Sequence, residues 1–570
     1  MPNQPSYYDQ INPDIFSRIP ATSSKILEIG CGSGALGSAF KAINPSSTYF
    51  GVEIMEEPAR IAQTRLDKVW NCNIEENGGK VFEETGLIDA LVYGDVLEHL
   101  CYPDQILKNH SQWLTPEGVV IACIPNVQRW SVLINLLSGQ WPQMDQGIFD
   151  RTHLRWFTKQ SLVDLFQAAD LHITSIVPRI FKPEKAQEFV KAMSPCLDAL
   201  GQSKEKLFEG VAPLQYVVTA TKTPVKRLLI SGLMLRPQAG MNEVRMIQPL
   251  KSVASTPGIE LELSSTNLRL KNATPELPKV MIWQRQSLDY ENSIPNIKKV
   301  IEAGYILISE FDDDPDHFPY IVKNNYLNFR AMHAVQVSTE QLSSKMIQHN
   351  PEVRWFDNCL EKLPPLLEEK WRTSDPAFCL RVFFGALNRK EDWEEWMPFI
   401  NKAIAKLPNK FEFEVVHDQD FFDALKTSRK RFTPTCNYQL YRQKLSRSHI
   451  ALMPLRDTQF NRFKSDLKFV ESSGYEVASI ASPTVYSQSI EDGLNGAITS
   501  SGAKVLETLT TWAQDPELAA TCAKNARQWV KSNRLQHQQV HSRLEWYRDL
   551  YARKDELTES LYQRVPELKP

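Results

Sequence analysis

A short apolar strand that runs directly into a glycine-rich turn and then a helix, Lys25-Ile-Leu-Glu-Ile-Gly-Cys-Gly-Ser-Gly-Ala-Leu-Gly37, constrains the fold more than any other stretch of this chain. Gly30, Gly32 and Gly34 let the backbone turn tightly and come close to a ligand where a Cβ would clash. Gly32, Gly34 and Gly37 also satisfy the G-x-G-x-x-G spacing of a dinucleotide turn, so the turn alone marks a nucleotide-cofactor site without choosing the cofactor. Around it, apolar runs (Ile26-Leu27, Tyr49 to Ile54, Ala90 to Tyr93, Val119 to Ile124, Tyr216 to Ala220) alternate with helix-period segments such as Pro58 to Val69. That alternation is the pattern of a doubly wound sheet.

Length then sets the number of such units. Single cores stop growing near roughly 250 to 300 residues, and 570 residues imply several, here three. The polar, proline-bearing stretch Thr221-Lys-Thr-Pro-Val-Lys-Arg227 precedes a new apolar strand at Leu228 to Gly232 and marks the first boundary. Beyond it, Val280 to Trp283, Tyr305 to Ile308 and Ala334 to Val337 read as buried strands and Asn296 to Ala303 as helix. After the crossing Leu363-Pro-Pro-Leu366, the strands Leu380 to Gly385, Phe411 to Val416, Ile450 to Met453 and Ser479 to Ser482 imply a third unit. The tail from about 515 to 562 reads as helices, with Trp529, Trp546 and Tyr547 as packing anchors. The charged stretch Pro183 to Glu209 reads as a helical insertion near the substrate mouth.

Two acids sharpen the turn: Glu28, two positions before Gly30, and Glu53, which ends the strand Thr48 to Glu53. With Asp89-Ala-Leu-Val-Tyr-Gly-Asp-Val-Leu-Glu-His-Leu100, Leu114 to Asn126 and Gly147 to Thr158, residues 1–222 resemble the class I S-adenosylmethionine-dependent methyltransferases. The resemblance implies S-adenosylmethionine as cofactor, with Glu28 near its methionine end and Glu53 accepting both ribose hydroxyls, as a carboxylate can. Asn73 stands where the family often has an acid for the adenine amino group. Gly30, Cys31, Gly32, Gly34, Asp95 and Val96 complete the implied cofactor set. Methyl transfer to a hydroxyl calls for a group to take its proton, and histidine has a suitable pKa. His153 and His99 are the candidates, with Asp150 beside them. The run Asp150-Arg-Thr-His-Leu-Arg155 reads equally well as a clamp holding a lid.

The second half resembles GT-B glycosyltransferases: residues 227–365 as the acceptor domain and 366–570 as the donor domain with C-terminal helices. The stretches carrying this are Pro237-Gln-Ala-Gly-Met-Asn-Glu-Val-Arg245, Val337 to Leu342, Pro351 to Asn358, Gly385-Ala-Leu-Asn-Arg389 and Asn461-Arg-Phe-Lys-Ser-Asp-Leu-Lys-Phe-Val-Glu471. The resemblance implies a nucleotide-sugar donor as substrate, held by Gly240, Gly385, Arg389, Lys464, Lys468 and Glu471. Glu471 would meet the ribose, and Lys464 and Arg389 the diphosphate, whose developing charge a fixed cation stabilises. The chain departs from the family's common pair of glutamates, because Phe463 stands eight residues before Glu471.

The expected fold class is therefore α/β, a Rossmann-like methyltransferase domain followed by two Rossmann-like domains of a GT-B glycosyltransferase. The expected function is bifunctional: methylation and glycosyl transfer in glycan or surface-polysaccharide synthesis, on a glycan or lipid-linked sugar acceptor. The alternative is a small-molecule or quinone-type methyltransferase carrying an inactive glycosyltransferase-like binding module. No metal ligand set is expected; Asp312-Asp-Asp-Pro-Asp316 invites one, but Asp-Pro also starts turns and, with His317, the run suits an acceptor cleft. A formal charge of −3, from 65 basic and 68 acidic residues, leaves no footprint for nucleic acid. Nine cysteines without a C-x-x-C pair suit a reducing, cytoplasmic setting. No run reaches the roughly 18 apolar residues of a membrane span. The basic run Lys426 to Arg431 reads as a solvated helix end and leaves a peripheral membrane contact open.

Overall fold

The computed structural model describes residues 9–236, 240–271, 277–368, 370–375, 377–387 and 389–570. Residues 237–239 of the Pro237 to Arg245 stretch, and Asn388, lie outside the described residues. The chain divides into two compact units: residues 1–227 with 254–259, and residues 228–253 with 260–570.

The first unit is built on seven strands: β1 (Lys25–Ile29), β2 (Thr48–Glu53), β3 (Lys68–Asn71), β4 (Ile88–Gly94), β5 (Leu114–Pro125), β6 (His172–Ile180) and β7 (Pro213–Thr221). Their order is β3-β2-β1-β4-β5-β7-β6, parallel except that β7 runs antiparallel to both β5 and β6. The central strands are covered on both faces, which explains why Val119 to Ile124 is an unbroken, fully buried apolar run. Two sequence expectations shift. The helix expected over Pro58 to Val69 is Glu56–Ala62, and Val69 instead belongs to the edge strand β3. The insertion is helical as expected, Pro183–Ala199 and Lys204–Val211, but it packs on the helix Trp130–Leu137 through Phe189, Val190 and Val211, and none of its residues lines the cavity described below.

The second unit holds two further six-stranded sheets. One comprises β8 (Leu228–Leu233), β9 (Ile259–Ser264), β10 (Lys279–Gln284), β11 (Ile306–Phe311), β12 (Ala334–Val337) and β13 (Val353–Trp355), in the order β13-β12-β11-β10-β8-β9. The other comprises β14 (Leu380–Gly385), β15 (Phe411–Val416), β16 (Lys430–Thr433), β17 (Ile450–Met453), β18 (Ala478–Ala481) and β19 (Ala497–Ile498), in the order β16-β15-β14-β17-β18-β19, all pairs parallel. The basic run at Lys426 is thus not a helix end: Lys430 and Arg431 enter β16, where Arg431 pairs with Glu412 at 3.1 Å and the Lys430 amine donates to the Phe422 and Leu425 carbonyls.

The C-terminal helices return to the first of these two sheets, so that Leu561, Val565 and Leu568 share a core with Leu229, Met281 and Leu307. A buried polar network ties that return: Arg245 Nε donates to Glu310 Oε1 (2.7 Å), Gln336 Nε2 donates to Glu310 Oε2 (2.5 Å), and Tyr547 O–H donates to Gln336 Oε1 (2.9 Å). The second unit is thus a pair of Rossmann-like sheets with C-terminal helices packed back on the first of them, and the first unit is a third Rossmann-like sheet. Among the described residues no helix is long and apolar enough to cross a membrane.

Glu310 is fully buried and Arg245 nearly so. Arg245→Met leaves an uncompensated buried carboxylate and is expected to cost about 3–5 kcal/mol, read as a lower urea midpoint for the second unit. Adding Glu310→Leu is expected to recover part of that loss.

Candidate functional site

The turn after β1 has the geometry that its glycines permit. Gly30, Gly32 and Gly34 sit at φ +73°, +53° and +77°, in the left-handed region, and a Cβ on Gly30 would meet Val96 Cγ2 at 2.4 Å. The Gly30 amide donates to the Val52 carbonyl (2.8 Å). Glu53, ending β2, closes the loop from the other side: Oε2 accepts from the Gly32 amide (2.8 Å) and Oε1 from the Met55 amide (2.9 Å). Within β1, Glu28 accepts from the Tyr49 hydroxyl at 3.1 Å, and burial pushes its carboxyl up to about 8, so it is mostly protonated at pH 7.

Beyond this turn lies a cavity of about 450 Å³, within the roughly 300–1,000 Å³ usual for small-molecule sites. It opens at the carboxyl ends of β1, β4 and β5, where the sheet order reverses between β1 and β4, the position at which doubly wound sheets take ligands. Glu28, Gly30, Cys31, Gly32 and Asp95 line one side; Glu98, His99, Asp150 and His153 line another. Glu53, Gly34 and Val96 are not among the lining residues. Asn73 lies outside it: its Oδ1 caps the helix Ile74–Thr85 by accepting from the Glu75 amide (3.0 Å).

The two histidines are brought together from segments that are far apart in sequence. Their ring centroids are 4.7 Å apart, edge to face. The Leu154 and Arg155 amides donate to the Glu98 carbonyl (2.8 and 3.0 Å), which straps the 150–155 segment onto the turn Leu97–His99. Hydrogen bonding assigns each tautomer. His153 Nδ1 lies 3.1 Å from the Ile148 carbonyl, which only accepts, so Nδ1 carries the proton and Nε2 is bare. Thr152 Oγ1 donates to Asp150 Oδ1 (2.6 Å) and therefore accepts from His99 Nδ1 (3.0 Å), so that this nitrogen also carries a proton. Burial, then the neighbouring His99, lowers the His153 pKa and keeps its ring neutral at pH 7. Thus Asp150 orients His99 through Thr152 while the 150–155 strap positions His153; the clamp and the site are one structure.

Sequence reasoning missed two contributors, both recruited from a distance. Gln215 of β7 donates through Nε2 to Asp95 Oδ1 (2.5 Å), Arg179 of β6 donates to Gln215 Oε1 (2.5 Å), and Arg179 also pairs with Asp14 (2.9 Å). Asp95 itself has φ +54°. No local motif announces these residues, because β6 and β7 reach the cavity only through the antiparallel end of the sheet.

In the second unit, Glu471 is buried and accepts from the Tyr438 hydroxyl, and a Cβ on Gly240 would meet the Tyr438 ring. Lys468 donates to the Gly385 carbonyl (2.8 Å), and burial lowers its pKa to about 8. Arg389 donates to Asp392 and Asn461 (3.1 Å each), and Lys464 pairs with Asp313 (3.4 Å). The structure therefore gathers Gly240, Gly385, Lys468 and Glu471 around Tyr438 and the end of β14, with Arg389 and Lys464 held by acids. Lys464 also lines a separate polar cavity of about 190 Å³ with Thr339, Asp466 and Arg534. Phe463 packs on the cluster of Phe311, Val335 and Leu342, with the Lys345 amine 4.7 Å from its ring. The Asp312 to Asp316 acids are paired as well, Asp312 and Asp313 with Arg285, and Asp314 and Asp316 with Lys345, while His317 stacks on Phe460 at 4.3 Å.

The raised Glu28 pKa has a definite sign. The folded state holds a proton that the unfolded state releases near its ordinary 4.5, so stability falls as pH rises from about 4.5 to about 8. Glu28→Gln is expected to flatten that part of the first unit's stability profile, measured by urea denaturation at pH 5, 6.5 and 8.

Residues 6–176 match the sequence model of a family described as "Methyltransferase domain". Among curated proteins none matches. Solved structures with a similar chain path include Anabaena HepE in complex with UDP and glucose (14% identity, 56% of this chain and 98% of that one, TM-score 0.39). A mutant of S. aureus TarM in complex with fondaparinux, α-GlcNAc-glycerol and UDP is similar over 48% of this chain and 55% of that one (13% identity, TM-score 0.37), so this chain spans about half of TarM's length. The plantazolicin methyltransferase BpumL in complex with a substrate analogue and SAH is similar over 37% of this chain and 83% of that one (16% identity, TM-score 0.26). Over residues 6–176, the chain carries a methyltransferase domain.

Proposed function

We infer that the chain is a bifunctional enzyme of glycan or surface-polysaccharide assembly, with an S-adenosylmethionine-dependent methyltransferase over 1–222, an acceptor domain over 227–365 and a nucleotide-sugar domain over 366–570. The observation that carries the first activity is the pair of imidazoles, His99 and His153, that line the glycine-turn cavity with the Nδ1 of each ring held by a hydrogen bond. The cavity suits the cofactor: its volume, the left-handed turn and the acids Glu28 and Asp95 on its lining belong to that chemistry, with Glu53 at the turn's edge for the ribose. When bound, S-adenosylmethionine supplies a methyl group activated by its sulfonium. The chain's own part is to hold an acceptor hydroxyl against that face and to deal with its proton, for which His153 Nε2 is oriented by the Ile148 carbonyl and His99 Nε2 by Thr152 and Asp150. A sugar hydroxyl is the acceptor we favour, because a tethered glycosyltransferase raises the effective concentration of a shared product.

For the second half, Glu471, Lys468, Arg389 and Lys464 are the donor-site residues. Specific observations also favour a binding module without transfer: Phe463 is committed to packing, Tyr438 occupies Glu471, and Arg389 and Lys464 are paired with Asp392 and Asp313.

Full-length protein incubated with methyl-labelled S-adenosylmethionine and oligosaccharide acceptors is expected to label the sugar. His153→Ala is expected to lower turnover by about 10²-fold or more while cofactor binding stays unchanged; near-normal turnover would remove His153 from the reaction. With a panel of nucleotide sugars, the bifunctional reading expects donor binding and slow hydrolysis that Glu471→Gln weakens, whereas neither binding nor hydrolysis would favour the inactive module.

A further inference from the structure

Glu98 sits on the cavity wall with 1% of its surface exposed, and neither carboxylate oxygen has a hydrogen-bond partner. A buried carboxyl without a partner is unfavourable whether or not it is ionised. If charged, it lacks a cation; if protonated, it lacks an acceptor, because His153 Nε2 is 4.0 Å from Oε1, beyond hydrogen-bond reach. The Nδ1 atoms of both imidazoles are turned away to Ile148 and Thr152. Two imidazoles and one carboxylate without a hydrogen-bond partner therefore line the same cavity.

We propose that Glu98, His99 and His153 form a binding site for one divalent first-row transition ion, which presents open coordination positions to the hydroxyl oxygens of the acceptor. Among the described residues these are the one set of three such side chains close enough to share an ion, with one ligand atom of each within 4.8 Å of the others. Ligands bound at about 2.1 Å from a common ion stand roughly 3 to 4 Å apart, so closure takes side-chain movements below an ångström. Two imidazoles and a carboxylate select a transition ion over Mg²⁺ or Ca²⁺, whose ligands are oxygens. The outer contacts are those of a metal site: Ile148 and the Thr152–Asp150 pair hold the distal nitrogens and fix both rings. Asp95 and Asp150 line the same cavity. The Asp312 to Asp316 run lacks this character, because Arg285 and Lys345 already take its carboxylates.

The inference deepens the proposed reading of this cavity: the imidazoles would hold the ion, which would lower the pKa of a bound hydroxyl so that its proton passes to solvent water, and the resulting alkoxide would take the methyl group as S-adenosylhomocysteine leaves. Ion binding itself does not depend on that reading. Full-length protein treated with EDTA and dialysed is titrated with Co²⁺, followed by calorimetry and by visible absorption, which reports nitrogen ligation. One Co²⁺ per chain is expected, with at least tenfold weaker binding in Glu98→Gln, His99→Ala and His153→Ala and loss of the visible bands in the His99→Ala/His153→Ala double variant. Circular dichroism verifies that each variant is folded. No saturable Co²⁺ binding, or binding whose affinity and spectrum survive the double variant, would overturn the proposal. S-adenosylmethionine affinity, measured on the same ion-free protein, judges the cofactor reading separately.

Discussion

The bond from the Gly32 amide to the Glu53 carboxylate, 2.8 Å long and buried, is the contact on which the first unit's cavity depends. It joins the end of β2 to a turn that is left-handed at three glycines, and it holds the loop away from the space that a ligand would fill. Without an acceptor at that point the turn would leave a buried donor unpaired, at a cost of about 1–3 kcal/mol. The sheet contributes the rest: crossovers that leave β1 in opposite directions open a crevice at its carboxyl end, and Asp95 and the Leu97–His99 turn enter that crevice from β4. Fold and site are therefore one argument from Lys25 to His99.

The second unit depends on a different device. Its first sheet and its terminal helices are joined by a buried polar chain running from Arg245 through Glu310 and Gln336 to Tyr547, and Arg245 also donates to the Phe356 carbonyl and to Asn358. Such a network is stabilising when complete and costly when broken. Arg245 closes one of the stretches that carry the glycosyltransferase resemblance, and its guanidinium is buried on Glu310, Phe356 and Asn358. The cations nearer the cleft, Arg389 and Lys464, are likewise neutralised by Asp392 and Asp313. A donor diphosphate would have to compete with those carboxylates, and this electrostatic fact separates an active transferase from a binding module.

Much of the fold was legible because central parallel strands are buried on both faces and so read as continuous apolar runs; Ala334–Val337, Leu380–Gly385, Phe411–Val416 and Ile450–Met453 match the expected bounds. The edges were not legible. Lys68–Asn71, Lys430–Thr433 and Ala497–Ile498 are short and partly solvated, so charge and turn residues masked them, and Val69 was absorbed into a helix pattern. The antiparallel strand His172–Ile180 was missed because its exposed positions break the apolar run. At the site, the glycine turn, Glu28, Glu53 and the two histidines are marked by local motifs. Gln215 and Arg179 are not, since their role arises only from the pairing of β5, β6 and β7. Asn73 shows the reverse: a residue in the expected position whose side chain the structure spends on a helix cap.

The central claim is that the cavity behind the Gly30–Gly34 turn holds S-adenosylmethionine. Calorimetric titration of the folded full-length chain with that molecule tests it most directly. The account predicts one saturable site per chain, lost in Gly30→Ala, where the added Cβ would meet Val96 and strain a residue at φ +73°. Absence of saturable heat from the folded wild-type chain, or binding that Gly30→Ala leaves intact, would contradict it.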